Sequence, residues 1–203
     1  MTTDRLRRTP TQRRAQVTVQ AIVEAAARVL VEDGYGRAST NRIAKRAGVS
    51  VGSLYHYFDD KDAIFDALIE RTSERQLAEL VVALEAHRDL ELEPAVRGLI
   101  QAALASQKVD AELAHALITQ CPRDGRANLD RRWKRRMTEL LAAQMLTGDE
   151  PVRPRNIELA AYVLVHALFA VVRDALADRP ELLRGEALTH ELTEMVVRYL
   201  RPD

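Results

Sequence analysis

Residues 39–58 read Ser-Thr-Asn-Arg-Ile-Ala-Lys-Arg-Ala-Gly-Val-Ser-Val-Gly-Ser-Leu-Tyr-His-Tyr-Phe, with Lys61 three positions further on. Hydroxyls, an imidazole, cations and small residues at this density suit a polyanion. The hydroxyls and cations reach phosphate oxygens, while a helix turn built of small residues approaches base edges. Nothing elsewhere in the chain spells catalysis. His87, His115, His166 and Cys121 are scattered, and no His-Glu-x-x-His, phosphate loop or nucleophile elbow is present, so no catalytic residue is assigned. A single cysteine excludes an intrachain disulfide, and without a Cys/His cluster no zinc site of the usual spacing can form. No metal or cofactor is therefore expected.

The elements that must hold these residues are helices. Periodicity is helical along the chain, with no alternating β-branched stretch flanked by hairpin turns, which makes the fold class all-α with about nine helices. The first runs from about 11 to 33, where Ile22, Ala26, Val29 and Leu30 share a face and Gly34 supplies a left-handed cap. Ser39 and Thr40 cap a helix over 41–47, which Gly48 ends, and Ser50 caps another over 51–57. Asp59 and Asp60 stand at the head of a long helix over 61–87. Pro94, Asp110, Asp124 and Pro154 mark starts for segments near 93–108, 110–121, 124–147 and 154–178, and Gly185 opens the last, to Leu200.

Helices 41–47 and 51–57, joined through a Gly-containing turn, form a helix-turn-helix. Ala44 and Ala47 permit close approach, and Ile43, Val49, Leu54 and Phe58 are spaced to build a small core against Ile22, Val29 and Leu30. That leaves Val51, Gly52, Ser53, Tyr55, His56 and Tyr57 on the outward face of the second helix. Thr40, Ile43, Ala44, Ala47 to Ser50, Gly52, Leu54, Tyr55, Tyr57, Phe58 and Lys61 together resemble the DNA-binding domain of the tetracycline-repressor (TetR) family of transcriptional regulators. The resemblance covers about the first third of the chain. It implies phosphate contacts from Thr40, Tyr55, His56 or Tyr57, and Lys61, and base contacts from Asn41, Val51, Gly52 and Ser53. His56 and Tyr57 depart from the family pattern, which often has a variable residue and then His. On physical grounds Lys61, at a helix start, would add its ammonium to open backbone N–H groups as a phosphate clamp.

Charge agrees with a divided molecule. The chain is formally neutral, with 30 basic and 30 acidic residues, yet residues 1–58 hold ten basic against four acidic, a net of +6, leaving −6 for the rest. Part of the excess is a basic arm, Arg5, Arg7, Arg8, Arg13 and Arg14, which could track phosphates or enter a minor groove. The basic run Arg131, Arg132, Lys134, Arg135 and Arg136 has a simpler reading. Leu129, Trp133, Met137, Leu140 and Leu141 make the buried stripe of that helix, and the cations fall on its solvated face. The expected domains are 12–59 for DNA binding and 60–203 for ligand binding and dimerisation.

The resemblance further implies an apolar pocket in the second domain, with Leu68, Leu104, Leu117, Cys121, Trp133, Met137, Tyr162, His166 and Phe169 as candidate linings. It also implies a homodimer across a four-helix bundle, through Ala161, Leu164, Val165, Leu168, Leu192, Met195 and Val196. Leu159–Val172 is apolar but for His166, a run of 14 residues and short of a membrane span. No secretory signal follows the basic start, so a soluble cytoplasmic protein without a membrane partner is expected. The function expected is a repressor that binds a palindromic double-stranded DNA operator and is released by a small, mostly apolar effector. The alternatives are a regulator without an inducer, an activator and, from another class, a small helical enzyme.

Overall fold

The computed structural model describes residues 10–108, 110–147 and 152–202. These residues form α1 (Pro10–Asp33), α2 (Thr40–Ala47), α3 (Val51–Tyr55), α4 (Lys61–Ala86), α5 (Leu92–Lys108), α6 (Ala111–Gln120), α7 (Arg123–Thr147), α8 (Ile157–Asp178) and α9 (Glu186–Leu200), with no strand among them. A 3₁₀ turn over Pro180–Leu183, not expected from periodicity, precedes α9. The all-α expectation is met, and the boundaries follow local capping chemistry. Ser39 Oγ accepts from Arg42 N–H, Ser50 Oγ from Ser53 N–H, and Asp60 and Asp110 carboxylates from Ala63 and Leu113 N–H. Gly34 and Gly48 take φ of 77° and 70°, and the Gly48 and Val49 amides return to the Lys45 and Ala44 carbonyls in a Schellman pattern.

Two ends differ from expectation. Helix α3 stops at Tyr55, with Tyr57 and Phe58 N–H turning back onto the Leu54 carbonyl. Helix α8 begins at Ile157 rather than near Pro154, because the Asn156 side chain caps Leu159 N–H at 2.9 Å. A side-chain cap outranks the preference for proline in a first turn.

The chain divides into two compact units, one ending at Leu68 and the other beginning at Ile69, so the division falls inside α4 rather than before it. Ile64, Phe65 and Leu68, on the first turns of α4, are buried in the first unit, whose core also holds Ile22, Val29, Leu30, Ile43 and Leu54. The second unit packs α8 on α7 and α6, and α5 on α9. One cluster joins Val96, Ile100 and Leu104 of α5 to Leu164 and Leu176 of α8 and Leu192, Val196 and Leu200 of α9. Another joins Leu80, Met137 and Val165, with Trp133 against it. Helix α8, 22 residues with a mean hydropathy of 1.7, is long and apolar enough to cross a membrane by length and composition alone. Its burial against α6 and α7 makes it a core helix of this unit instead.

The dimer residues expected from sequence require correction. Ala161, Leu164, Val165, Leu192 and Val196 are buried within the single chain, and Leu168 is half-buried against the same core. Only Met195 of that set is exposed. The outward stripe of α8 is instead Leu159, Tyr162, Val163, Ala170 and Val171. In a helix apolar all round, neither stripe is marked by composition as the inner one.

Candidate functional site

Helix α3 presents Val51, Gly52, Ser53, Tyr55 and His56 as exposed residues, while Leu54 is its fully buried anchor. Asn41 is exposed on α2, Thr40 is half-buried, and the Thr40 and Tyr55 hydroxyls meet at 3.1 Å, tying the two helices together on their outer side. Tyr55 is 53% exposed, so burial does not account for it. Tyr57 is half-buried, edge-on to His56 with ring centroids 5.0 Å apart. The outward ring after Tyr55 is therefore His56. Of the expected small core, Ile43 and Leu54 are fully buried, whereas Val49 and Phe58 are only half-buried.

Gly52 has no structural reason to be glycine. Its φ is not positive, and a Cβ built there would meet only Ser50 Oγ at 4.0 Å. Any demand for a missing side chain at Gly52 must come from outside the chain. Ser53 is poised but engaged, its hydroxyl 2.8 Å from Ser50 Oγ.

The Lys61 clamp is not arranged as expected. The Asp60 carboxylate already takes Ala63 N–H, and the Lys61 ammonium lies back on Tyr35, 3.2 Å from its carbonyl oxygen and 4.2 Å from its ring centroid. The Tyr35 hydroxyl donates to Asp62, and its ring packs on Phe65 at 5.2 Å. Tyr35 was not singled out from sequence, although a large apolar residue directly after a C-capping glycine is a known helix-end signal. It holds Lys61 with donors to spare, because an ammonium carries three.

Much of the positive charge on α2 is locally matched. Arg42 pairs with Asp33 at 3.0 Å, and Arg46 makes a two-pronged pair with Glu32, whose hydrogen bond raises the already high Arg46 pKa. These pairs pin α2 to the C-terminal end of α1. In the basic arm, Arg5, Arg7 and Arg8 lie outside the described residues, as does the Arg13 side chain, while Arg14 is exposed.

In the second unit a cavity of about 240 Å³ lies among α4, α5, α6, α7, α8 and α9, lined throughout by residues from Ile69 onward. Leu104, Leu117, Trp133, Met137 and Phe169 line it, as expected. Leu68, Cys121, Tyr162 and His166 do not. Leu68 is buried in the first unit, Cys121 is buried off the cavity after α6, and Tyr162 and His166 stack on each other on the outer side of α8. The lining that composition could not pick out includes Gln76, Gln107, Asp130 and Arg173.

Histidine chemistry is accounted for by structure. The Nδ1 atoms of His87, His115 and His166 lie 2.6, 2.9 and 2.9 Å from the carbonyls of Ala83, Leu176 and Tyr162. Among the described residues, no group of three His, Cys, Asp or Glu side chains could hold a metal ion. On α7, Arg131, Arg132, Arg135 and Arg136 are exposed, with Arg132 paired to Glu70 at 3.1 Å, whereas Lys134 is half-buried over the Phe169 ring.

Comparison with known proteins fits this geometry. The profile described as bacterial regulatory proteins, tetR family, matches residues 22–68, and that of the tetracyclin repressor-like C-terminal domain matches residues 91–200. The chain is 40% identical over 67 residues, 33% of its length, to the HTH-type transcriptional regulator UidR of Escherichia coli K12, and spans about a third (34%) of that relative. Among solved structures, a regulator from Mesorhizobium loti superposes with a TM-score of 0.72 at 22% identity, over 93% of this chain and 99% of that one. SmeT, solved with triclosan, gives 0.69 at 19% identity over 93% of both chains. At these identities the structural likeness shows the fold.

Proposed function

The chain belongs to the TetR family of bacterial regulatory proteins, a family of regulators rather than enzymes, and from that premise we propose that it is a homodimeric transcriptional repressor of the cytoplasm. It binds a palindromic operator and is released by a small, mostly apolar effector. The observation that carries the DNA reading is the outward face of α3, where Val51, Gly52 and Ser53 are exposed and Gly52 leaves a gap that no residue of the chain fills. That face approaches base edges, while Thr40, Tyr55, His56 and the remaining Lys61 donors take phosphates. Asn41, exposed beside Thr40, is within the same reading surface.

Dimerisation uses the outward apolar stripe of α8, Leu159, Tyr162 and Val163, with Met195 of α9, because these large residues are 43–56% exposed in the single chain. A twofold axis there sets two α3 helices about 34 to 36 Å apart, or a multiple, to match successive major-groove turns. The effector enters the cavity, as SmeT's triclosan complex suggests for this fold. Helix α4 carries Lys61 on its first turn and Ile69, Thr72 and Gln76 of the cavity wall further along, so a tilt of this one rigid element transmits occupancy. The coupling would be about 1 to 3 kcal/mol, roughly 5- to 150-fold in operator affinity.

A gel shift of the full chain against DNA flanking its own gene tests the reading. Salt-dependent retardation at a specific palindrome is expected, and absence of any preferred flanking site sinks the autoregulated-operator form of it.

A further inference from the structure

The cavity wall is apolar except for a small set of polar groups, and most of those already have partners. Gln76 donates its amide to Gln107 at 3.2 Å, and the Ser106 hydroxyl donates to Glu79 at 2.5 Å. Asp130 is engaged as well. Trp133 differs. Its Nε1–H is buried and has no hydrogen-bond acceptor in the chain, the one buried side-chain polar atom so found among the described residues.

An indole N–H is a donor only, so it cannot be relieved by changing roles. Leaving it unmade in a desolvated site is unfavourable, and its acceptor must come from whatever occupies the cavity. An occupant that displaces water there without offering an acceptor loses that bond again. Charge narrows the class further. Asp130 and Arg173 are the charged side chains on the wall and cancel formally, so neither a net anion nor a net cation is matched. The volume of about 240 Å³ corresponds to roughly eight waters at ~30 Å³ each, which suits a compound of about ten non-hydrogen atoms.

From these observations we propose that the cavity selects small, uncharged, largely apolar molecules carrying one hydrogen-bond acceptor, such as a carbonyl or ether oxygen, which takes the Trp133 indole N–H. The class rests on the effector reading above for its regulatory meaning, but the binding can be measured without DNA.

Four probes of matched size separate the features: acetophenone, ethylbenzene, benzoate and benzylammonium. Because Trp133 is the only tryptophan, its indole ¹⁵N–¹H resonance is a single peak in the spectrum of the full chain. Acetophenone should bind about tenfold more tightly than ethylbenzene and move that peak downfield, with both ions weaker than the ketone. In Trp133→Phe the ketone should lose its advantage while ethylbenzene binds as before. Equal affinity for ketone and hydrocarbon in the parent protein overturns the proposal, as does an ion binding most tightly, or no probe binding at all. The parent indole peak keeps the test decisive if Trp133→Phe fails to fold, since ketone binding that leaves this peak unmoved also refutes it. Failure of the effector reading looks different: probes bind as stated, yet operator affinity stays the same at saturation.

Discussion

Gly52→Ala separates stability from recognition with opposite signs. The position follows Val51 in α3, its backbone is not in the left-handed region, and a Cβ meets only Ser50 Oγ at 4.0 Å. Alanine there reduces the freedom of the unfolded chain and favours helix, a gain of about 0.4 to 1 kcal/mol. The lower part of that range applies, because the site is in the first turn. For a chain of this size it corresponds to a rise of about 1 to 3 °C in the unfolding midpoint. Against DNA the same methyl enters the space through which α3 approaches the groove. Displacing the helix to admit it loosens base and phosphate contacts together, and a loss of about 1 to 3 kcal/mol, roughly 10- to 100-fold in operator affinity, is expected. Thermal unfolding by circular dichroism and fluorescence anisotropy on labelled operator measure the two. Gly48→Ala is the counterpart. Its φ of 70° makes alanine cost about 1 to 2 kcal/mol, so stability falls while the folded fraction keeps its affinity. A Gly52→Ala protein that binds operator within twofold of the parent would refute close approach at this position.

Four further outcomes are expected. Lys61→Ala should lower the slope of log affinity against log salt by about one, weakening all sequences alike; an unchanged slope, from a salt titration of binding, removes Lys61 from the contacts. Tyr162→Glu or Val163→Glu should give folded monomers by sedimentation, whereas Leu164→Glu, at a site only 3% exposed, should unfold the second unit; folded dimers in the first two would move the interface. Gly98→Ala brings a Cβ into the His87 ring and should destabilise by about 1 to 3 kcal/mol in urea, with most of the loss recovered in the His87→Ala background. Partial burial, then the nearby Asp62 and Asp60, raise the Asp66 pKa, so ionisation of this carboxyl weakens the fold as pH rises through the raised value. Asp66→Asn should therefore stabilise at neutral pH, and that advantage should vanish below the ordinary carboxylate range near pH 4; an advantage independent of pH would rule out the charge as its source.

Features written in a few adjacent residues were legible from the sequence. Ser39, Ser50, Asp60 and Asp110 cap the helices they were expected to cap, and Gly34 and Gly48 take the left-handed turns, since each of these acts within four residues of itself. The exposed reading residues of α3 followed from the same local logic. The second unit was less legible where the answer depends on which side of a helix faces in. Helix α8 is apolar on every side, so Leu164 and Tyr162 are equivalent by composition, yet one is core and the other surface. Tyr35 and Lys61 meet across 26 positions, a pairing that no periodicity contains. Cys121 and Leu68 were correctly apolar and buried, but burial alone does not say which space a side chain borders.

The two-faced character of α8 has a consequence for dosage. Leu164, Val165 and Leu168 border the cavity, while Leu159, Tyr162 and Val163 on the other side of the same helix form the proposed dimer seam. One backbone thus serves both surfaces, and any shift of it that favours an occupant also alters the fit of a second copy. By reciprocity the occupant's affinity then depends on whether the protein is paired. A cell that makes more of this regulator would change the effector concentration needed for half-response as well as the amount of repression. Titrations at several protein concentrations would show that dependence as a family of displaced curves.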